Sequence, residues 1–139
     1  MSIRIGVCRL GQKRGGVSAQ TFELEKMPAT LRELIEESVR ACVGAYNERL
    51  RLGDAAQPMT QEQMQAMERV GKLAFGVIYN GHEADLEAAQ AGAVQGFLDG
   101  WYRVFCNQQE LIGLDAPLEL KEQDEITFIR LTMLTGSMW

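Results

Sequence analysis

The chain has one histidine, three cysteines, no long hydrophobic run and no block of like charge, and each scarcity narrows what 139 residues can do. No stretch approaches the eighteen or so consecutive apolar residues of a membrane span, so no membrane partner is expected. The opening MSIRIGVCRLGQKR lacks the basic start, apolar block and small-residue cleavage site of a secretory signal, which makes a cytoplasmic location the expectation. Net charge is −5, and no basic run is long enough to track a phosphate backbone, so nucleic acid is not an expected partner. Cys8, Cys42 and Cys106 are odd in number, widely spaced and set among apolar residues, which describes buried free thiols rather than a disulfide framework. Internal repeats and low-complexity segments are absent.

What is present reads as one globular domain over 1–139. Apolar content of 46% with 24% charged residues is that of a folded protein. A chain of this length buries roughly 70% of its unfolded surface and needs no staples. SIRIGVCRL alternates in polarity, GQKRGG punctuates it, and AQTFELEKM alternates again, the pattern of a β-hairpin. Thr30 and Glu33 form a capping box ahead of a helix whose stripe runs through Leu31, Leu34, Ile35, Val39, Cys42, Val43, Tyr46 and Leu50. RLGDAAQP closes it as a surface loop.

MTQEQMQAMERV predicts a second helix, capped at Thr60, with Met64, Met67 and Val70 inward. KLAFGVIYNG either extends it or forms a short strand. Its β-branched and aromatic residues and the Asn80-Gly81 turn favour the strand. EADLEAAQAGAVQGFLDG predicts a helix with Leu86, Ala89, Ala93, Val94, Phe97 and Leu98 on one face and Gly100 as its stop. WYRVFCN is a strand, QQELIGLDAPLEL a turn-rich connection, and DEITFIRLTML a last strand apolar enough to be buried on both faces.

Hairpin, helix, then further strands is the element order of the β-grasp fold. On TLRELIEESV, YRVFCNQQEL and LELKEQDEITFI, the chain resembles the ubiquitin-like superfamily, including ubiquitin and the sulfur-carrier proteins. The resemblance covers about 1–50 and 100–136, with 51–100 as a helical insertion. It implies an α+β fold in which the first and last strands are parallel neighbours at the sheet centre. It also implies that Gly136 is an activation site, once Ser137, Met138 and Trp139 are removed.

Other constellations weigh less. The turn Gly11–Gly16, with Lys13 and Arg14, has neither the spacing of a phosphate-binding loop nor a following helix. His82 with Glu83 and Asp85 lacks a second ligand cluster, so no metal and no cofactor are expected. A cysteine nucleophile would need Cys106 or Cys8 beside His82. Three functions therefore stand side by side. The favoured one is a non-catalytic protein–protein interaction module. Its contacts are an exposed sheet face around Tyr102, Val104 and Cys106 and a tail holding Met133, Leu134 and Trp139, which docks on a protein partner or a twin subunit. The others are a modifier or sulfur carrier activated at Gly136, and a small cysteine-dependent enzyme.

Overall fold

A computed structural model describes residues 2–9, 17–52, 58–77, 81–122 and 124–131, with the backbone alone of 8, 9, 17–20, 58–63 and 73. The elements run β1 (Ser2–Arg9), β2 (Val17–Glu23), α1 (Leu31–Leu52), α2 (Pro58–Phe75), α3 (Leu86–Leu98), β3 (Tyr102–Cys106), β4 (Gln109–Leu111) and β5 (Glu125–Arg130). The chain is α+β, with a mixed five-stranded sheet in the order β2-β1-β5-β3-β4. β1 lies parallel to β5, with Ile5 opposite Ile126 and Val7 opposite Phe128, and antiparallel to β2. β5 is antiparallel to β3, which turns tightly into β4. This order is compatible with a β-grasp.

Period-two alternation sends Ile3, Ile5, Phe22, Tyr102, Val104, Ile126 and Phe128 to one face of the sheet, each at most 2% exposed. The helices cover that face, and the buried stripe of α1 (Leu31, Leu34, Ile35, Val39, Cys42, Val43) joins the same core. Phe75, Tyr102 and Phe128 meet edge to face, with ring centroids 4.9–5.9 Å apart. Each buried ring stabilises the fold by roughly 1.5–3 kcal/mol relative to exposure.

The Thr30 half of the capping box forms, whereas the Glu33 carboxylate reaches one residue beyond the N-cap. Glu33 N–H donates to Thr30 Oγ1 at 3.2 Å, and Glu33 Oε1 accepts from Ala29 N–H at 3.1 Å. A further donor of the first turn, Arg32 N–H, is satisfied by Leu114 O at 2.9 Å, and the Arg32 guanidinium clasps Asp115. The connection between β4 and β5 is thereby laid across the start of α1.

Three sequence expectations change. Lys72–Phe75 belong to α2 and not to a strand, because Val70, Ala74 and Phe75 complete a helical stripe into the core before Gly76 ends it at φ +68°. β5 is not buried on both faces: Ile126 and Phe128 are buried, whereas Thr127 and Ile129 are half-buried and Glu125 is exposed. Leu98 is 61% exposed rather than inward, because Ala93, Val94 and Gly96 occupy the side of α3 that meets the core. Within the described residues, no helix is long and apolar enough to cross a membrane.

Candidate protein-docking face

The helices leave the second face of the sheet uncovered among the described residues, and strand register decides what stands on it. On β5 the outward positions are Glu125, Thr127 and Ile129. Thr127 lies opposite Phe105 of β3 and Gly6 of β1, and Ile129 lies opposite Arg103. Glu125 lies opposite Arg4, and Phe105 opposite Glu110 of β4. Phe105, Thr127 and Ile129 thus form a half-buried centre on β3 and β5, two of the three inner strands. Arg4, Arg103, Glu110 and Glu125 surround it with both signs of charge. Arg103 Nε stands 3.8 Å from Glu110 Oε2, a loose pair on an exposed rim that contributes little to stability.

The end of this face is held by the β3–β4 turn. Asn107 N–H donates to Glu125 O, Glu125 N–H donates to Asn107 Oδ1, and Asn107 Nδ2 donates to Asp124 Oδ1, each at 2.9 Å. Asp124 also accepts from Lys121 N–H at 2.8 Å. The Lys121 amide first, and then the Asn107 side chain, hold the Asp124 carboxyl below the usual aspartate range.

The expectation for Tyr102 and Val104 is corrected here. They are 2% and 0% exposed and point into the core. Val104 is paired with Phe128 and Leu111 in a register that turns it toward the helices. The Tyr102 hydroxyl donates to Ala93 O at 2.6 Å inside the core, and burial pushes its phenol well above the ordinary range. Cys106 shares their side of β3 and is half-buried at the strand's end. The outward residues of β3 are instead Arg103 and Phe105. In YRVFC both alternating sets carry apolar residues, so β3 alone does not show its facing. The signal lies in β5, where ETI alternates against IFR and register carries that polarity across. Met133, Leu134, Gly136 and Trp139 lie outside the described residues, as does the Gly11–Gly16 turn.

The groups weighed for chemistry are dispersed. Cys42 is fully buried, and desolvation raises its thiol far above the ordinary value. Cys106 is also raised, by burial first and then by the Asp124 carboxylate. Both thiols are therefore protonated near neutral pH and poor nucleophiles. The Cys8 side chain is outside the described residues. His82 is exposed in the turn leading to α3, while Asp85 caps that helix through Ala88 N–H at 3.3 Å. Among the described residues, no three His, Cys, Asp or Glu side chains gather as a metal site. Met67 packs on the core edge, and Trp101 is 49% exposed with the Arg130 guanidinium 5.5 Å from its ring centre.

Comparison with protein-family models, with curated proteins and with solved structures returns no match for this chain.

Proposed function

We propose that the chain is a non-catalytic protein–protein interaction module on a ubiquitin-like β-grasp core, and that it docks a protein partner through the uncovered sheet face. The order β2-β1-β5-β3-β4, with β1 and β5 parallel at its centre, supports the β-grasp reading. Fold alone carries no function, so the functional reading rests on one observation about the site. An antiparallel or mixed sheet with one solvated face normally alternates apolar-in and polar-out. Here the outward positions of β3 and β5, two of the three inner strands, hold Phe105 and Ile129, with a charged rim of both signs around them. That is the composition of a small docking surface, with an apolar centre that loses water and a rim that sets orientation.

The partner this face fits presents an apolar side chain flanked by charges of both signs. The test is a photo-crosslinking residue placed at Thr127 in the native host, with the same residue at Glu87 on exposed α3 as control. One discrete adduct from position 127, lost on adding Phe105→Asp and absent from position 87, supports the reading. Equal adducts from both positions, or none, would remove it.

A further inference from the structure

Between the end of α2 and the start of α3 lies a groove of about 390 Å³. Its apolar walls include Phe75 and Val77, both buried, and Ala88, Ala89 and Gly92 of α3. Ala88 and Gly92 are exposed, so the groove is an open slot rather than an enclosed cavity. Glu83 and Asp85 line the same groove, and among the described residues no lysine or arginine does.

The two carboxylates are differently engaged. Asp85 caps α3, and its Oδ1 accepts from Ala88 N–H at 3.3 Å, which uses one of its two oxygens. Glu83 is exposed just before the helix and makes no ion pair or hydrogen bond among the described residues. The N-terminus of α3 sets about half a positive charge against these two negative ones, so the acids prevail. Their charge sits at one end of the slot. From Asp85 to Gly92 the α3 wall runs about 10 Å along the helix axis, and Ala88 to Leu98 carry no charge at all.

A side chain with an apolar stem and a cationic head matches that polarity. Arginine matches it better than lysine, because a guanidinium offers five donors to two carboxylates and is more weakly hydrated than an ammonium. A site for a free small molecule normally encloses most of its ligand, whereas this slot is open along α3. We infer that the groove between α2 and α3 receives an arginine side chain of a protein partner, its methylene stem on Ala88, Ala89 and Gly92 and its guanidinium at Glu83 and Asp85. None of these residues lies on the sheet, so the inference stands or falls apart from the sheet face.

The experiment follows the amide spectrum of the full chain by NMR during a peptide titration. The probe is an acetylated, amidated pentapeptide of alanine and glycine with one central arginine. Its control carries citrulline, which keeps the shape and loses the charge. The expected result is saturating shifts at Gly76, Ala88, Ala89 and Gly92, with a dissociation constant several-fold lower for arginine than for citrulline. Combining Glu83→Gln with Asp85→Asn should weaken arginine binding to the citrulline value and leave the spectrum elsewhere unmoved, since asparagine still caps the helix. Glu119→Gln, at an exposed acid outside the groove, should change nothing. Equal binding of the two peptides, shifts that never saturate, or binding that survives the double variant overturns the inference. An equal loss with Glu119→Gln means general attraction to an acidic chain and overturns it too. Butylguanidinium binding as tightly as the peptide assigns the slot to a free small cation and removes the partner.

Discussion

Arg49 of α1 and Glu68 of α2 meet as a two-pronged pair, Nε to Oε2 at 2.5 Å and Nη2 to Oε1 at 2.7 Å, with the Glu68 carboxylate almost fully covered. This is the one ion pair between the two helices among the described residues. The bond to Glu68 raises the arginine further above its ordinary value. Removing one partner leaves the other charge covered and uncompensated, which costs more than removing both. Arg49→Ala is therefore expected to destabilise by about 1–3 kcal/mol, below the range for fully buried pairs because Arg49 is one-third exposed. The double variant Arg49→Met with Glu68→Leu should recover part of the loss. Urea unfolding of the four chains of the cycle measures the coupling.

The two faces of β5 should behave oppositely. Phe128 is fully buried between Phe75 and Tyr102, so Phe128→Ala is expected to cost about 3–5 kcal/mol. Ile129, one residue on, is outward and half-buried, so Ile129→Ser should cost under about 1 kcal/mol. Denaturant midpoints at constant slope would show it. A large loss at 129 would mean that the uncovered face is core and would remove the docking surface.

Much of the architecture was legible because local signals were strong. The Thr30–Glu33 cap and the α1 stripe each act within a few residues. The facing of β3 was not, since YRVFC is apolar at Tyr102 and Val104 on one side and at Phe105 on the other. Only pairing with Phe128 decides between them. Residues 72–75 misled for a related reason. Phe75 has strand-like propensity, but a helical turn brings it onto Tyr102 and Phe128, and packing outweighs propensity. The half-buried centre of the uncovered face is a product of register and had no motif to reveal it.

The β3–β4 turn stores backbone strain. Asn107 and Gln108 both sit at positive φ, 50° and 82°. Asn107 tolerates this region and uses its side chain on Asp124 and Glu125, whereas Gln108 is an unbranched residue in a place that favours glycine. Gln108→Gly is expected to stabilise by about 0.5–1 kcal/mol, relief of strain outweighing the added freedom of the unfolded chain. Thermal unfolding checks the sign.

Thiol reactivity should rank by burial. Cys42, fully buried, is expected to resist alkylation until the protein unfolds, so its labelling rate should follow global opening. Cys106, half-buried at the end of β3 with a raised thiol, should label slowly at neutral pH and faster as pH climbs past the ordinary thiol range. Peptide mass mapping after timed alkylation separates the sites. Rapid neutral-pH labelling of Cys106 would reopen the cysteine-dependent chemistry that its surroundings argue against.

Acid should loosen the corner that holds the end of the uncovered sheet face. The Asp124 carboxyl is held below its ordinary value by Lys121 N–H and Asn107 Nδ2. A depressed carboxyl stabilises the fold above the unfolded-state value, near pH 3.9, and that contribution disappears as pH falls through the folded value. Asp115, held down by Arg32, and Glu23, held down by the Ser2 hydroxyl, act in the same direction. Stability should therefore decline from about pH 5 downward, with protons taken up on unfolding. Asp124→Asn is expected to be less stable than the parent at neutral pH and to lose less on acidification, so the two curves converge at low pH. Curves that stay parallel would mean that Asp124 titrates alike in both states and that the Asn107 corner holds without its charge.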